Sequence, residues 1–328
     1  MMEIYLISAV VCLALVFDFL NGFNDSNNMV ATIISSRAIS VQKALILASL
    51  SNFLGPFLFG TAVATTIGRE IVNPSFIDVN VIIASLIGAI AWDLIAWSRA
   101  VPTSSSHALI GSIIGAVAIS AGFDKINLSG ILKVFLILLI SPILGFTLGY
   151  ISYKIITKIT TRAMPKINNV FNVLQILSSI CLGLSHGTND AQKTMGIVTM
   201  ALVTLKFLPD FHVPLWVIFV CAAAMALGIL SGGLSIVKTI GMKIFKIRPI
   251  HGFTSQISSS LVIIGSSLIG GPVSTTHVVS SSIIGVGSGE NISRIRWGIV
   301  KDIVLAWFIT LPVSAVISSS VCFILNKI

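Results

Sequence analysis

Two apolar runs in this 328-residue chain, each long enough to cross a bilayer, carry the same polar insertion near their centres. The first extends from Ile4 to Ile34 and is interrupted by Asn21-Gly22-Phe23-Asn24-Asp25-Ser26-Asn27-Asn28. The second carries His186-Gly187-Thr188-Asn189-Asp190-Ala191-Gln192-Lys193, 165 positions on from Asp25 to Asp190, with Gly22, Asn24 and Asp25 matched by Gly187, Asn189 and Asp190. An ionisable group at membrane depth costs about 3 kcal/mol or several times that, so it persists where it pairs, lines a cavity or binds an ion. Any fold for this chain must therefore give two buried carboxylates a protein-lined place inside the membrane.

The rest of the composition agrees with a membrane setting. Hydrophobic residues make up 55% of the chain and charged ones only 9%, against about 25% charged for a soluble domain. Apolar stretches recur from end to end between short polar loops, which points to helices and away from the alternating signature of a membrane barrel. The first residues lack the basic flank of a secretory signal, so the first run reads as a membrane helix. Cys12, Cys181, Cys221 and Cys322 lie in apolar stretches without metal-ligand spacing and read as packing residues. The net charge of +9 concentrates in loop clusters, Lys154-Lys158-Arg162-Lys166 and Lys238-Lys243-Lys246-Arg248, as expected of cytoplasmic loops. Topology thus accounts for the charge, and no nucleic-acid partner is implied.

The expected class is an all-α polytopic membrane protein of about ten to twelve membrane segments, built from two repeats, 1–166 and 167–328. The first comprises a broken run over 4–36, a helix over 42–67, shorter pieces over 80–100 and 104–121, and a long helix over 129–154. The second repeats the order: a broken run over 168–206, a helix over 213–237, pieces over 254–270 and 275–286, and a final helix over 297–325. Further landmarks support the duplication. Thr66-Ile67-Gly68 returns as Thr239-Ile240-Gly241, and Gly130-Ile131-Leu132-Lys133 resembles Gly298-Ile299-Val300-Lys301. Pro102-Thr103-Ser104-Ser105-Ser106-His107, followed by Gly115, returns as Pro272-Val273-Ser274-Thr275-Thr276-His277, followed by Gly285.

Loop charge sets the expected orientation. Arg37 and Lys43 place the first connection inside, and the slightly acidic Arg69, Glu70 and Asp78 loop falls outside. If the pieces flanking Pro102 form a re-entrant-like hairpin, the Asp124-Lys125 loop is outside and the Lys154 cluster inside. The second half then runs from inside to outside, making the repeats inverted, with both termini extracytoplasmic and binding at the midplane.

The chemistry concentrates in two constellations. Ser104-Ser105-Ser106 and Ser274-Thr275-Thr276 sit after a proline and before an apolar run, where hydroxyls, free backbone N–H groups and a helix dipole would converge on an anion. Ordinary N-capping accounts for one such tip alone; two in matching repeat positions favour a site. Asp25 and Asp190, with Asn24 and Asn189, offer hard oxygen ligands to small cations, and Asn21 and Asn28 support them. The competing reading pairs Asp190 with Lys193, one helical turn away. His107 and His277 either relay protons or hydrogen-bond the tips. Asp93 and Asp302 read as structural ion pairs with Arg99 and Lys301, and Asp18 has Gly183 as its counterpart.

On these residues the chain resembles the inorganic phosphate transporter (PiT) family, cation-coupled phosphate symporters. Gly22-Phe23-Asn24-Asp25, Gly187-Thr188-Asn189-Asp190 and Pro272-Val273-Ser274-Thr275-Thr276-His277 match its signatures, over nearly the whole chain. Ser106 stands where threonine is usual, Asn52 resembles a position that is glutamate in some members, and a large central cytoplasmic loop of other members is absent. The resemblance implies import of inorganic phosphate with sodium by alternating access, in the cell membrane. The two hairpin tips and Thr188 would hold phosphate, and Asp25, Asp190, Asn24 and Asn189 two sodium ions, with no cofactor. Proton coupling, a metal-phosphate complex and sulfate are the alternatives, and a homodimer is the assembly considered. An intramembrane hydrolase using serine with His107 or His277 is disfavoured, because nucleophile and base would be neighbours on one hairpin.

Overall fold

In the computed structural model, residues 1–71, 77–99, 101, 103–162, 166–232 and 245–327 are described, and among them all regular structure is helical. In chain order the α-helices are α1 (Met2–Ser35), α2 (Val41–Leu58), a one-turn α3 (Ala62–Thr65) continued by a π turn (Thr66–Glu70), α4 (Val79–Ser98), α5 (Ser105–Ser120) and α6 (Leu128–Thr160). The second half brings α7 (Ile167–Thr204), α8 (Leu215–Leu230), α9 (Pro249–Leu268), α10 (Thr275–Asn291) and α11 (Trp297–Leu325). Six of these, α1, α2, α4, α6, α7 and α11, are long and apolar enough to cross a membrane. Pro102, the Thr239-Ile240-Gly241 landmark and the Lys238 and Lys243 charges lie outside the described residues.

The packing of one half mirrors that of the other. α2 lies on α7 as α8 lies on α1, α10 packs on α6 as α5 packs on α11, and α9 meets α7 as α4 meets α1. Each motif helix therefore receives the hairpin of its own half and the second helix of the opposite half. Both motif helices also end alike, with a residue at φ 61°, Arg37 or Lys206, and a back-bond from the next amide, Ala38 N to Ile33 O (3.2 Å) and Phe207 N to Leu202 O (2.8 Å).

The expected breaks at 21–28 and near 187 are absent, because α1 and α7 each run unbroken through their motifs. Unwinding inside a bilayer would leave backbone groups without partners, whereas a continuous helix satisfies them and presents its amides and carboxylates sideways to protein. The motif glycines serve close approach instead. An added Cβ on Gly22 would run into the Met225 carbonyl of α8, and one on Gly187 into the Asn52 carbonyl of α2. The break falls one element later, where α2 stops at Leu58 and Gly60, at φ 77°, turns the chain into α3. Gly115 and Gly285 bring α5 against the α11 backbone at Ala315 and α10 against the α6 backbone at Phe146.

Candidate functional site

Helical spacing gathers the polar residues of each motif into one stripe. Asn21, Asp25 and Asn28 on α1 follow the i, i+4, i+7 rule, as do His186, Asp190 and Lys193 on α7, with Asn24 and Asn189 between them. The stripes face one another, and the second hairpin tip enters between them.

The Asp25 carboxylate accepts from Asn28 Nδ2 (2.7 Å) and Thr276 Oγ1 (2.8 Å) at Oδ1, and faces Thr275 Oγ1 and His186 Nε2 at Oδ2, each at 3.4 Å. Asp190 accepts from Lys193 Nζ (2.8 Å) at Oδ1 and from Thr275 Oγ1 (3.1 Å) at Oδ2, with His186 Nε2 3.7 Å away. Thr275 and His186 thus stand between both carboxylates. One ligand atom each from Asp25, His186 and Asp190 lies within 4.8 Å of the others, all three residues being buried. The two carboxylates of this group can share a small cation once the Thr275 hydroxyl and the imidazole turn away. Asn52 of α2 donates from Nδ2 to His186 Nδ1 (2.8 Å), leaving the ring N–H at Nε2 to point to Asp25.

Lys193 makes the pair with Asp190 that the competing reading describes. Its ammonium, fully buried, bonds Asp190 Oδ1, Ser106 Oγ (2.5 Å) and Val273 O (3.1 Å), so the second carboxylate already holds a positive charge. Asn189, expected as a cation ligand, instead secures the second tip. Its Nδ2 donates to Ser267 Oγ (2.8 Å) and Gly271 O (3.1 Å), and its Oδ1 accepts from Val273 N (3.1 Å). On the α1 side, Asn21, Asn24 and Asn28 each keep a buried amide oxygen without a partner.

The two tips meet at the centre. Ser106 Oγ donates to Val273 O (2.7 Å), and the His107 and His277 rings stand 4.6 Å apart, with His277 stacked on Trp307 at 3.9 Å. Ser104 and Ser274 are N-caps, accepting from the amides of His107 and His277 (each 3.3 Å), which is the ordinary capping role. Ser104 also meets His107 Nδ1 at 2.9 Å, so that ring hydrogen-bonds its own tip. Ser105 is buried on the first turn of α5 but makes none of the carboxylate contacts of its counterpart Thr275. Thr188 lies elsewhere: its hydroxyl bonds the Leu184 carbonyl (2.8 Å) and its side chain faces Gly55 of α2, because two residues from His186 is the far side of the helix. The expected pairs of Asp93 with Arg99 and of Asp302 with Lys301 are not formed among the described residues. Asp93 is buried, Asp302 is exposed, and Asp18 accepts from Thr194 Oγ1 (2.6 Å).

Sequence reasoning undervalued four residues. Asn28 and Lys193 occupy the same place in the repeat, and that spacing alone marks both as members of the stripe. His186 matches Asn21 in the same way. Asn52 had no local signal, since its role depends on α2 crossing α7 at Gly187.

The model of the phosphate transporter family matches residues 21–318. The chain belongs to the phosphate transporter family. A Bacillus subtilis protein named "Probable low-affinity inorganic phosphate transporter" is 46% identical over 323 residues, covering 97% of this chain and 96% of that protein. A Rhizobium meliloti protein of the same name is 42% identical over 316 residues, covering 96% and 95%. Among solved structures, one titled "The sodium-dependent phosphate transporter" superposes with a TM-score of 0.91 at 25% identity, covering 99% of this chain and all of the other. This chain is thus an inorganic phosphate transporter and a multi-pass membrane protein, which sets the hydrolase reading aside. The buried cluster lies where the two motif helices and the two hairpin tips converge.

Proposed function

We propose that this transporter imports phosphate with sodium by alternating access between two inverted repeats, binding both at the cluster between α1, α7 and the hairpin tips. The observation that carries this reading is that Thr275 and Thr276 donate their hydroxyl protons to Asp190 and Asp25. A hydroxyl has one proton, so a threonine bonded to a carboxylate has none to offer a phosphate oxygen. A sodium ion bound by Asp25 and the threonine oxygen releases that proton and turns it towards the anion. Sodium would therefore bind first and create the donors that phosphate needs. The positive ends of α5 and α10 complete the anion side. The solved relative's title supports sodium as the ion.

The same reading places the Asp124-Lys125 loop and both termini outside the cell membrane, with the Lys158 end of α6 inside. Moving a divalent phosphate into a cell at 100 mV, inside negative, costs about 4.6 kcal/mol, so import requires co-transported positive charge. Proton coupling is the second reading, favoured by the position of His186 between two carboxylates. Uptake of radiolabelled phosphate into proteoliposomes under imposed sodium or proton gradients separates the two. A sodium gradient alone should drive accumulation, and Asp25→Asn should abolish it in protein that remains folded and inserted. Uptake that ignores sodium and collapses with a protonophore would reject the sodium reading.

A further inference from the structure

We infer that the Lys193 ammonium takes the place of one of the two cations that a duplicated site would hold, so that this transporter binds a single sodium ion, on the Asp25 side. This rests on the sodium-coupled reading above and concerns its stoichiometry.

The repeat shows what has been substituted. Asn28 and Lys193 occupy matching positions, as do Thr276 and Ser106. On α1, Asn28 Nδ2 joins Asp25 Oδ1 (2.7 Å) to Thr276 Oγ1 (2.9 Å) with a neutral amide. On α7, Lys193 Nζ joins Asp190 Oδ1 to Ser106 Oγ and adds the Val273 carbonyl. A carboxylate, a hydroxyl and a carbonyl around one positive charge form the kind of oxygen set that takes a hard cation. Here the cation is tethered to the chain.

Two further observations agree. Lys193 is fully buried, with its charge held among protein oxygens and not carried to an interface, as a lysine near a helix end would be. The unused amide oxygens of the two motifs also lie on one side. Asn21, Asn24 and Asn28 of α1 each leave a buried amide oxygen unpartnered, while His186, Asn189, Asp190 and Lys193 of α7 leave no buried polar atom so. Among the motif residues, the open ligands for an incoming ion therefore lie beside Asp25 and not beside Asp190. The protein's own motif charges give the same count before phosphate enters, since two carboxylates less one ammonium leave a single negative charge.

The test is equilibrium binding of radiolabelled sodium to the purified, detergent-solubilised transporter at saturating phosphate, alongside the sodium dependence of uptake in proteoliposomes. The parent should bind one ion per chain. Lys193→Asn, which copies Asn28, and Lys193→Ala, which empties the cage, should each bind two. Where these variants transport, the Hill coefficient for sodium should rise from about 1 towards 2. Two ions on the parent, or one on both variants, would overturn the inference while leaving sodium coupling intact. A parent that binds none would reject sodium coupling itself, and this inference with it.

Discussion

Replacing Gly187 by alanine tests whether the crossing of α2 over α7 sets the geometry of the carboxylate cluster. A Cβ at position 187 would lie against the Asn52 carbonyl, with the Asn52 carbonyl carbon and Cα also in its way, so backbone and not a flexible side chain must yield. Reaching ordinary carbon–oxygen contact requires the helices to separate by about 1.4 Å. The 2.8 Å bond from Asn52 Nδ2 to His186 Nδ1 would then stretch beyond hydrogen-bonding range. Overpacking costs about 1–3 kcal/mol, and the lost buried bond adds about 1 kcal/mol. Gly22→Ala is the internal control: Gly22 meets the Met225 carbonyl of α8 in the same way, but the matching Asn21 makes no side-chain bond across that crossing. Both variants should therefore melt lower than the parent by scanning fluorimetry, and only Gly187→Ala should weaken sodium-dependent phosphate uptake through His186. A cycle with Asn52→Ala refines this, because both substitutions remove the same bond and their effects on KM should fall well short of additive. An unchanged melting midpoint for Gly187→Ala would refute the packing argument. Additive KM effects would refute the route through His186.

The structure carries two other expectations. Asn189→Ala removes three hydrogen bonds at the second tip, leaving the Val273 amide unpartnered, and should lower stability by about 2–3 kcal/mol while weakening phosphate more than sodium binding; equal loss of both, measured by equilibrium binding, would show that it acts as a cation ligand. In a cysteine-free background, single cysteines placed at Asp124 and Lys158 should react with an impermeant thiol reagent from outside and from inside respectively, and labelling of both from one side would contradict the inverted arrangement.

Much of this architecture was legible in the chain because a bilayer limits what can cross it. Backbone groups must be satisfied internally, so apolar runs had to be helices, and their ends at 79, 105, 128, 167, 275 and 297 fall within a few residues of the expected boundaries. The 165-residue offset and the 3.6-residue period were enough to align Asp25 with Asp190 and to place Asn28 and Lys193 on the same stripe. What the tertiary structure decided was how each of those groups is used. Whether Asp190 holds a free cation or a lysine turned on Ser106 and Val273, contributed by both hairpins far away in the chain. Whether the motif glycines break a helix or admit a neighbour depended on carbonyls of α2 and α8. Asn189 became a clasp because the tip at Gly271 and Val273 lies against it, and Thr188 left the site because the helix stayed continuous and turned it towards Gly55. Sequence periodicity reports which face of a helix a residue occupies; the partner waiting on that face is set by packing between segments up to 251 residues apart, as between Asp25 and Thr276, and no local signal encodes it.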